Sequence, residues 1–162
     1  MLASYLKLHQ PSILIIPESC MPSQIPPFPK SKDYVNKFRL FAHDHGYQTF
    51  WTQHWSGQAR HGVAIMVRAG LEVLEIQRGL DLDDRMQYEG RVLALRFAKF
   101  WVLGLYVPHK ESEYNHLLEQ ITSWTARTNM PVVMGGDMNS VLDSSLTQGI
   151  RVHTPGFHNE IP

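Results

Sequence analysis

Two apolar runs, "VLALRFA" (residues 92–98) and "FWVLGLYVP" (100–108), are separated by a single residue, Lys99. So short a link cannot carry a parallel crossover, which needs about a dozen residues. The two runs are therefore expected to form an antiparallel hairpin. Neither run alternates apolar with polar, as it would with one face in water, so both faces are expected to be covered.

The residues after this hairpin limit the fold further. Residues 111–128 carry Tyr114, Leu117, Leu118, Ile121 and Trp124 on one helical stripe, with Glu, Asn, His and Gln elsewhere. A second short apolar run, "PVVMGG" (131–136), comes next and predicts another buried strand. Upstream, "SILII" (12–16) is β-branched, bounded by prolines, and predicts a fully buried strand. Residues 2–9 predict a helix already under way at the first residue, and residues 31–45 a surface helix stopped by Gly46. Residues 47–53 and 63–69 predict strands. Residues 70–79 change phase between Val73 and Leu74, as a strand with a bulge would. Residues 18–29, 54–62 and 80–91 are loops, and no regular element is expected after "NSVLDSSLTQG". Antiparallel pairs mixed with helical crossovers predict an α/β sandwich with helices outside the sheets.

Composition limits the function classes. At 162 residues and 43% apolar content the chain is one domain's length and not disordered. Lys plus Arg equals Asp plus Glu at 15 each, so any nucleic-acid contact must come from a local patch or a metal. Cys20 is the only cysteine; it excludes an internal disulfide and argues against a cysteine zinc site, and no disulfide-linked partner is expected. No apolar stretch approaches about 18 residues, so no membrane span is expected. No signal peptide is recognised. The patterns GxSxG, Walker A and GxGxxG are absent, as are internal repeats.

Three strands are expected to end in a polar residue: "SILIIP" at Glu18, "WVLGLYVP" at Tyr106, and "PVVMGG" at Asp137, with Asn139 two residues on. In α/β sheets ligands gather at the carboxyl ends of strands. If Glu18 and Asp137 meet there, their repulsion would be relieved by a divalent cation; Mg²⁺ favours hard oxygens and binds through one or two carboxylates plus water and phosphate. Asn139 would contact a phosphate oxygen or orient a water, and the Tyr106 hydroxyl would support the phosphate or the leaving oxygen. Gly135 and Gly136 are expected to let the backbone approach this site. Each residue also has a plain structural role: Glu18 as a solvated acid, Asp137 and Asn139 as a turn or cap, Tyr106 as a half-buried core tyrosine. "HDH" (43–45), the basic residues Lys30, Lys32, Lys37 and Arg39, and "DLDD" (81–84) are read as surface, capping or solvated groups.

Taken together, "PSILIIPES", "HGVAIMVRAG", "EGRVLALRF", "FWVLGLYVP" and "PVVMGGDMNSVLD" resemble the endonuclease/exonuclease/phosphatase superfamily. The "GR" before a strand, "YVP" at a strand end and "GGDMN" are most similar to the endonuclease domains of non-LTR (LINE-type) retrotransposons. The resemblance covers residues 1–145, with 146–162 as an irregular tail. It implies a four-layer αββα sandwich (DNase I-like), incomplete here, and phosphodiester hydrolysis dependent on Mg²⁺ or Mn²⁺. By resemblance Glu18 is the metal-binding glutamate, Tyr106 lies near the scissile phosphate, Asp137 orients or deprotonates the attacking water, and Asn139 contacts the phosphate. DNA is the implied partner, and an intracellular location, nuclear for a retrotransposon-derived chain, is implied with it.

The departures are specific. The family's first strand, which carries an asparagine, has no match, and the usual Gln-Glu-Thr is Pro17-Glu18-Ser19. Only 23 residues follow Asn139, and none reads Ser-Asp-His; His153 and His158 come too soon. The expectation is a chain truncated at both ends, with weak or no nuclease activity on its own, exposed sheet edges and a tendency to self-associate. The alternatives are another phosphoesterase of the same fold (a repair nuclease, or a lipid or small-molecule phosphatase) and a non-catalytic remnant or interaction module.

Overall fold

The computed structural model describes residues 2–21, 29–52, 62–80 and 90–139, with the side chains of 29–32 left aside. Expectations for residues 22–28, 53–61, 81–89 and everything from 140 onward, including "DLDD", His153 and His158, lie outside the described residues. The elements are α1 (Leu2–His9), β1 (Ile13–Pro17), α2 (Pro29–Asp44), β2 (Tyr47–Trp51), β3 (Val63–Arg68), β4 (Glu75–Arg78), β5 (Val92–Arg96), β6 (Trp101–Tyr106), α3 (Glu111–Thr128) and β7 (Val132–Asp137). No helix among the described residues is long and apolar enough to cross a membrane.

The strands form two sheets, ordered β1-β3-β2 and β4-β5-β6-β7. β5 and β6 are the expected antiparallel hairpin. Its link is closed by Phe97 N–H donating to Phe100 O at 2.9 Å, with the two rings stacked at 4.9 Å. β6 and β7 run parallel, so α3 is a helical crossover between them.

Side-chain alternation builds four layers. On β3, Val63, Ile65 and Val67 point between the sheets, where they meet Leu93 and Leu95 of β5 and Val102 and Tyr106 of β6. Met66, on the other face of β3, packs with Leu6 of α1, Ala42 of α2 and Tyr47. On the far side, Ala94, Trp101, Leu103 and Leu105 receive Leu117, Ile121 and Trp124 of α3, the stripe expected from sequence. Trp101 and Trp124 meet edge to face at 5.1 Å, and Trp124 Nε1–H donates to Gln77 Oε1 at 3.0 Å. The order is helix, sheet, sheet, helix, as expected.

Three expectations are corrected. Residues 71–74 are not strand; only Glu75–Arg78 pairs with β5. Second, β1 and β7 are not fully buried. Every residue of β1 is partly exposed, and in β7 Val133 and Met134 are 56% and 51% exposed. Both are outer strands among the described residues, and they pack against each other across the sandwich, which places two sheet edges on one flank. An apolar run does not reveal whether its strand is central or at an edge.

The glycines are the third correction. A Cβ at Gly135 would lie 3.0 Å from Ile15 Cδ1 of the opposite sheet. At Gly136 (φ +144°) it would lie 2.0 Å from Leu105 O, and at Gly104 2.7 Å from Val63 Cγ1. These positions let sheets and strands approach one another.

Candidate active site

Parallel pairing makes Tyr106 and Asp137 register partners, so β6 and β7 deliver both to the same end of their sheet. Val107 N–H continues the ladder to Asp137 O at 2.9 Å. β1 lies across β6 and β7 in the other sheet and turns at Glu18, which has φ +49°. Ser19 N–H then donates to Gly62 O at 3.0 Å, tying this turn to the start of β3.

Tyr106 is the point where these elements meet. It is 2% exposed, deeper than the half-buried core tyrosine of the plain reading. Its hydroxyl is held above its ordinary pKa first by burial and then by the negative charge of Glu18. Arg91 acts in the opposite direction, Asp137 pushes the value further up, and a hydrogen bond from the Asn139 side chain draws it down. The other three expected residues, Glu18, Asp137 and Asn139, thus all act on the Tyr106 hydroxyl, from two different sheets.

The loop after β7 is built by the Asp137-Met138-Asn139 segment. Asp137 Oδ1 accepts Asn139 N–H at 2.9 Å, an Asx turn, so the local turn role of Asp137 is real. Asn139 adopts φ +47° and is 6% exposed. Its Nδ2 donates to Val107 O, which fixes the amide orientation and leaves Oδ1 free to accept. That oxygen is buried without a protein partner among the described residues, as is Ser19 Oγ. Buried polar atoms are paired in the great majority of cases, so this oxygen has room to accept a hydrogen bond from a water or a ligand.

Sequence reasoning did not single out Arg91, Thr52 or Ser19. Arg91 was visible only as the "GR" before β5. Thr52 is 1% exposed and accepts Val63 N–H at 2.8 Å. Its Oγ1 also lies 2.8 Å from Gly90 O and donates to it, clamping one sheet to the other just behind Arg91. "HDH" takes its capping role: His45 Nδ1–H donates to Phe41 O at 2.7 Å. In the basic segment Lys37 pairs with Asp33 at 2.8 Å on the surface, and Arg39 sits 4.8 Å over the Trp51 ring.

The donor set fits a hard, sparsely liganded cation. No group of three His, Cys, Asp or Glu able to hold a metal occurs among the described residues. Two carboxylates and an orphaned amide oxygen suit Mg²⁺, which keeps several waters and takes few protein ligands.

A family model described as "Endonuclease/Exonuclease/phosphatase family" matches residues 1–156. Among solved structures, the chain is similar to an AP endonuclease from Archaeoglobus fulgidus (TM-score 0.66, 24% identity), over 89% of this chain and 53% of that one. It is also similar to the 3'-5' exonuclease NExo from Neisseria meningitidis (0.60, 20% identity, 84% and 50%). A third similar structure is the Xenopus laevis APE2 catalytic domain (0.61, 17% identity, 86% and 53%). At these identities the likeness establishes the fold, a DNase I-like α/β sandwich, incomplete here. The chain spans about half the length of these structures. A search of curated proteins gave no match.

Proposed function

Because the chain belongs to the endonuclease/exonuclease/phosphatase family, we propose that it binds a DNA phosphodiester at Glu18, Tyr106, Asp137 and Asn139 and hydrolyses it with Mg²⁺ or Mn²⁺. The observation that carries this reading is the Tyr106–Asp137 register at one end of the sheet, with β1, which leads into Glu18, packed across β6 and β7.

Each group has a task its chemistry permits. Tyr106 keeps its proton at neutral pH, as an ordinary tyrosine does, and its raised pKa extends that further into the alkaline range, so it donates a hydrogen bond to a phosphate oxygen. Asp137 orients the attacking water and accepts its proton. Asn139 Oδ1 takes a hydrogen bond from that water, which satisfies the buried orphan. Glu18, with help from Asp137, would hold the cation. A divalent cation bound there neutralises charge on the phosphate and the leaving oxygen. Glu18 and Asp137 outweigh Arg91 by one negative charge, which would repel a phosphodiester; a divalent cation reverses that sign.

The retrotransposon-type endonuclease is the favoured source, on "EGR", "YVP" and "GGDMN". A repair-type reading is supported by the solved neighbours, which include an AP endonuclease and a 3' phosphatase bound to a product DNA hairpin. The same proposal includes self-association through the β1 and β7 edges, on the exposure of Val133 and Met134.

The test combines a thermal-shift titration with Mg²⁺ and Mn²⁺ and incubation with supercoiled plasmid, abasic duplex and 3'-phosphorylated hairpin. Stabilisation by either metal and nicking of the plasmid, both lost in Glu18→Ala, are expected. A wild-type chain with neither response would leave a non-catalytic module as the better reading.

A further inference from the structure

Arg91 and Tyr106 face each other across the end of the β5–β6 hairpin. Val92 pairs with Leu105, and one step beyond it Tyr106 N–H donates to Arg91 O at 2.9 Å. Residues directly opposite in an antiparallel pair project to the same face. The Arg91 guanidinium accordingly lies 5.3 Å from the Tyr106 ring centroid, within cation–π range. Its Nη1 also reaches Tyr106 O at 3.4 Å. Arg91 is itself anchored, since the preceding Gly90 O accepts the buried Thr52 hydroxyl from the other sheet.

We propose that Arg91 is a positioning residue for the candidate site: it holds the Tyr106 ring so that the hydroxyl stays between Glu18 and the Asp137–Asn139 turn, and supplies the positive charge that offsets the carboxylates there. The proposal rests on the phosphodiesterase reading for its effect on turnover, but not for its effect on the ring. Tyr106 is the last residue of β6, and its backbone is held by the ladder on both sides, to Arg91 and to the β7 end, while its ring extends beyond the backbone bonds. A planar cation over one ring face limits the ring's orientation without touching its hydroxyl. The charge of Arg91 also reaches that hydroxyl, opposing Glu18 and Asp137.

The test uses the full chain with ¹³C-labelled tyrosine rings and three variants: Arg91→Met, Arg91→Lys and Tyr106→Phe. In Arg91→Met the Tyr106 ring resonances are expected to move while those of Tyr47, which bonds Pro11 O, stay in place. Arg91→Lys, which keeps the charge, is expected to return them part of the way. On plasmid DNA with Mg²⁺, Arg91→Met is expected to lower kcat about tenfold, the upper range for one cation–π contact. KM should change less than about twofold, because a positioning residue does not bind substrate. The loss should vanish in a Tyr106→Phe background. Unmoved Tyr106 resonances, a loss that multiplies with Tyr106→Phe, or a rise in KM alone would each overturn the proposal. If Arg91→Met does not fold, Arg91→Lys decides by the same ring signals. If the wild type cuts no DNA, the function reading fails, while the ring resonances still judge Arg91.

Discussion

Tyr106 and Asp137 are register partners at the ends of two parallel strands, and only a helical crossover separates them in sequence. A hydroxyl donor and a carboxylate acceptor are thereby set side by side on a backbone ladder rather than on a loose loop. Rigid elements hold catalytic groups more closely than loops do.

Asp137 has two roles that substitution can separate. Asn at 137 still offers an Oδ1 to accept Asn139 N–H, so the turn survives. Asp137→Asn should therefore keep its melting temperature while losing metal-dependent nicking by about 10²-fold or more, the range for a general base. Asp137→Ala should lose activity and also about 1 kcal/mol of stability from the broken turn. Urea denaturation and plasmid nicking, measured on both variants, check this. Equal activity in Asp137→Asn and wild type would remove Asp137 from the chemistry.

Gly136 is required by the backbone. A Cβ there would sit 2.0 Å from Leu105 O, at φ +144°. Gly136→Ala should cost about 3 kcal/mol or more, and Gly104→Ala, whose neighbour is the Val63 side chain, about 1–3 kcal/mol. Urea midpoints at constant slope measure both.

The raised pKa of Tyr106 predicts a stability change on the alkaline side. The unfolded chain releases this proton near pH 10 and the folded chain only above that. Between the two values the folded state holds more protons, so stability falls as pH rises. Below pH 10 the contribution is complete and flat. Tyr106→Phe should show a shallower decline above pH 10 than wild type, measured by thermal melts from about pH 8 to about pH 11.5, a range that brackets the ordinary tyrosine value. Parallel declines would assign the alkaline loss to other groups.

Edge exposure predicts association. Residues 132–136, "VVMGG", carry no charge or proline, the usual guards of an outer strand. Val133→Lys with Met134→Lys should reduce concentration-dependent growth in mass, read by light scattering after size exclusion. A wild type that stays monomeric across the range would dismiss the self-association proposal.

Much of the architecture was legible in the chain. The single-residue link at Lys99 required a hairpin, and the Tyr114–Trp124 stripe required a helix with one buried face. Those are local properties of spacing and periodicity. Residues 71–74 misled because apolar content begins there before the β4–β5 register does. The edge positions of β1 and β7 were hidden because burial depends on which neighbours a strand acquires.

The candidate site divides in the same way. By itself, the sequence determined the residue types at three strand ends, Glu18, Tyr106 and Asp137 with Asn139, because strand termini can be read from local pattern. Only the tertiary structure decided that these ends point to one place, that Gly135 and Gly136 serve sheet contact, and that Arg91 and Thr52 belong to the site's surroundings. Strand pairing and sheet stacking join residues far apart in the chain, and no local pattern encodes which strand will lie beside which.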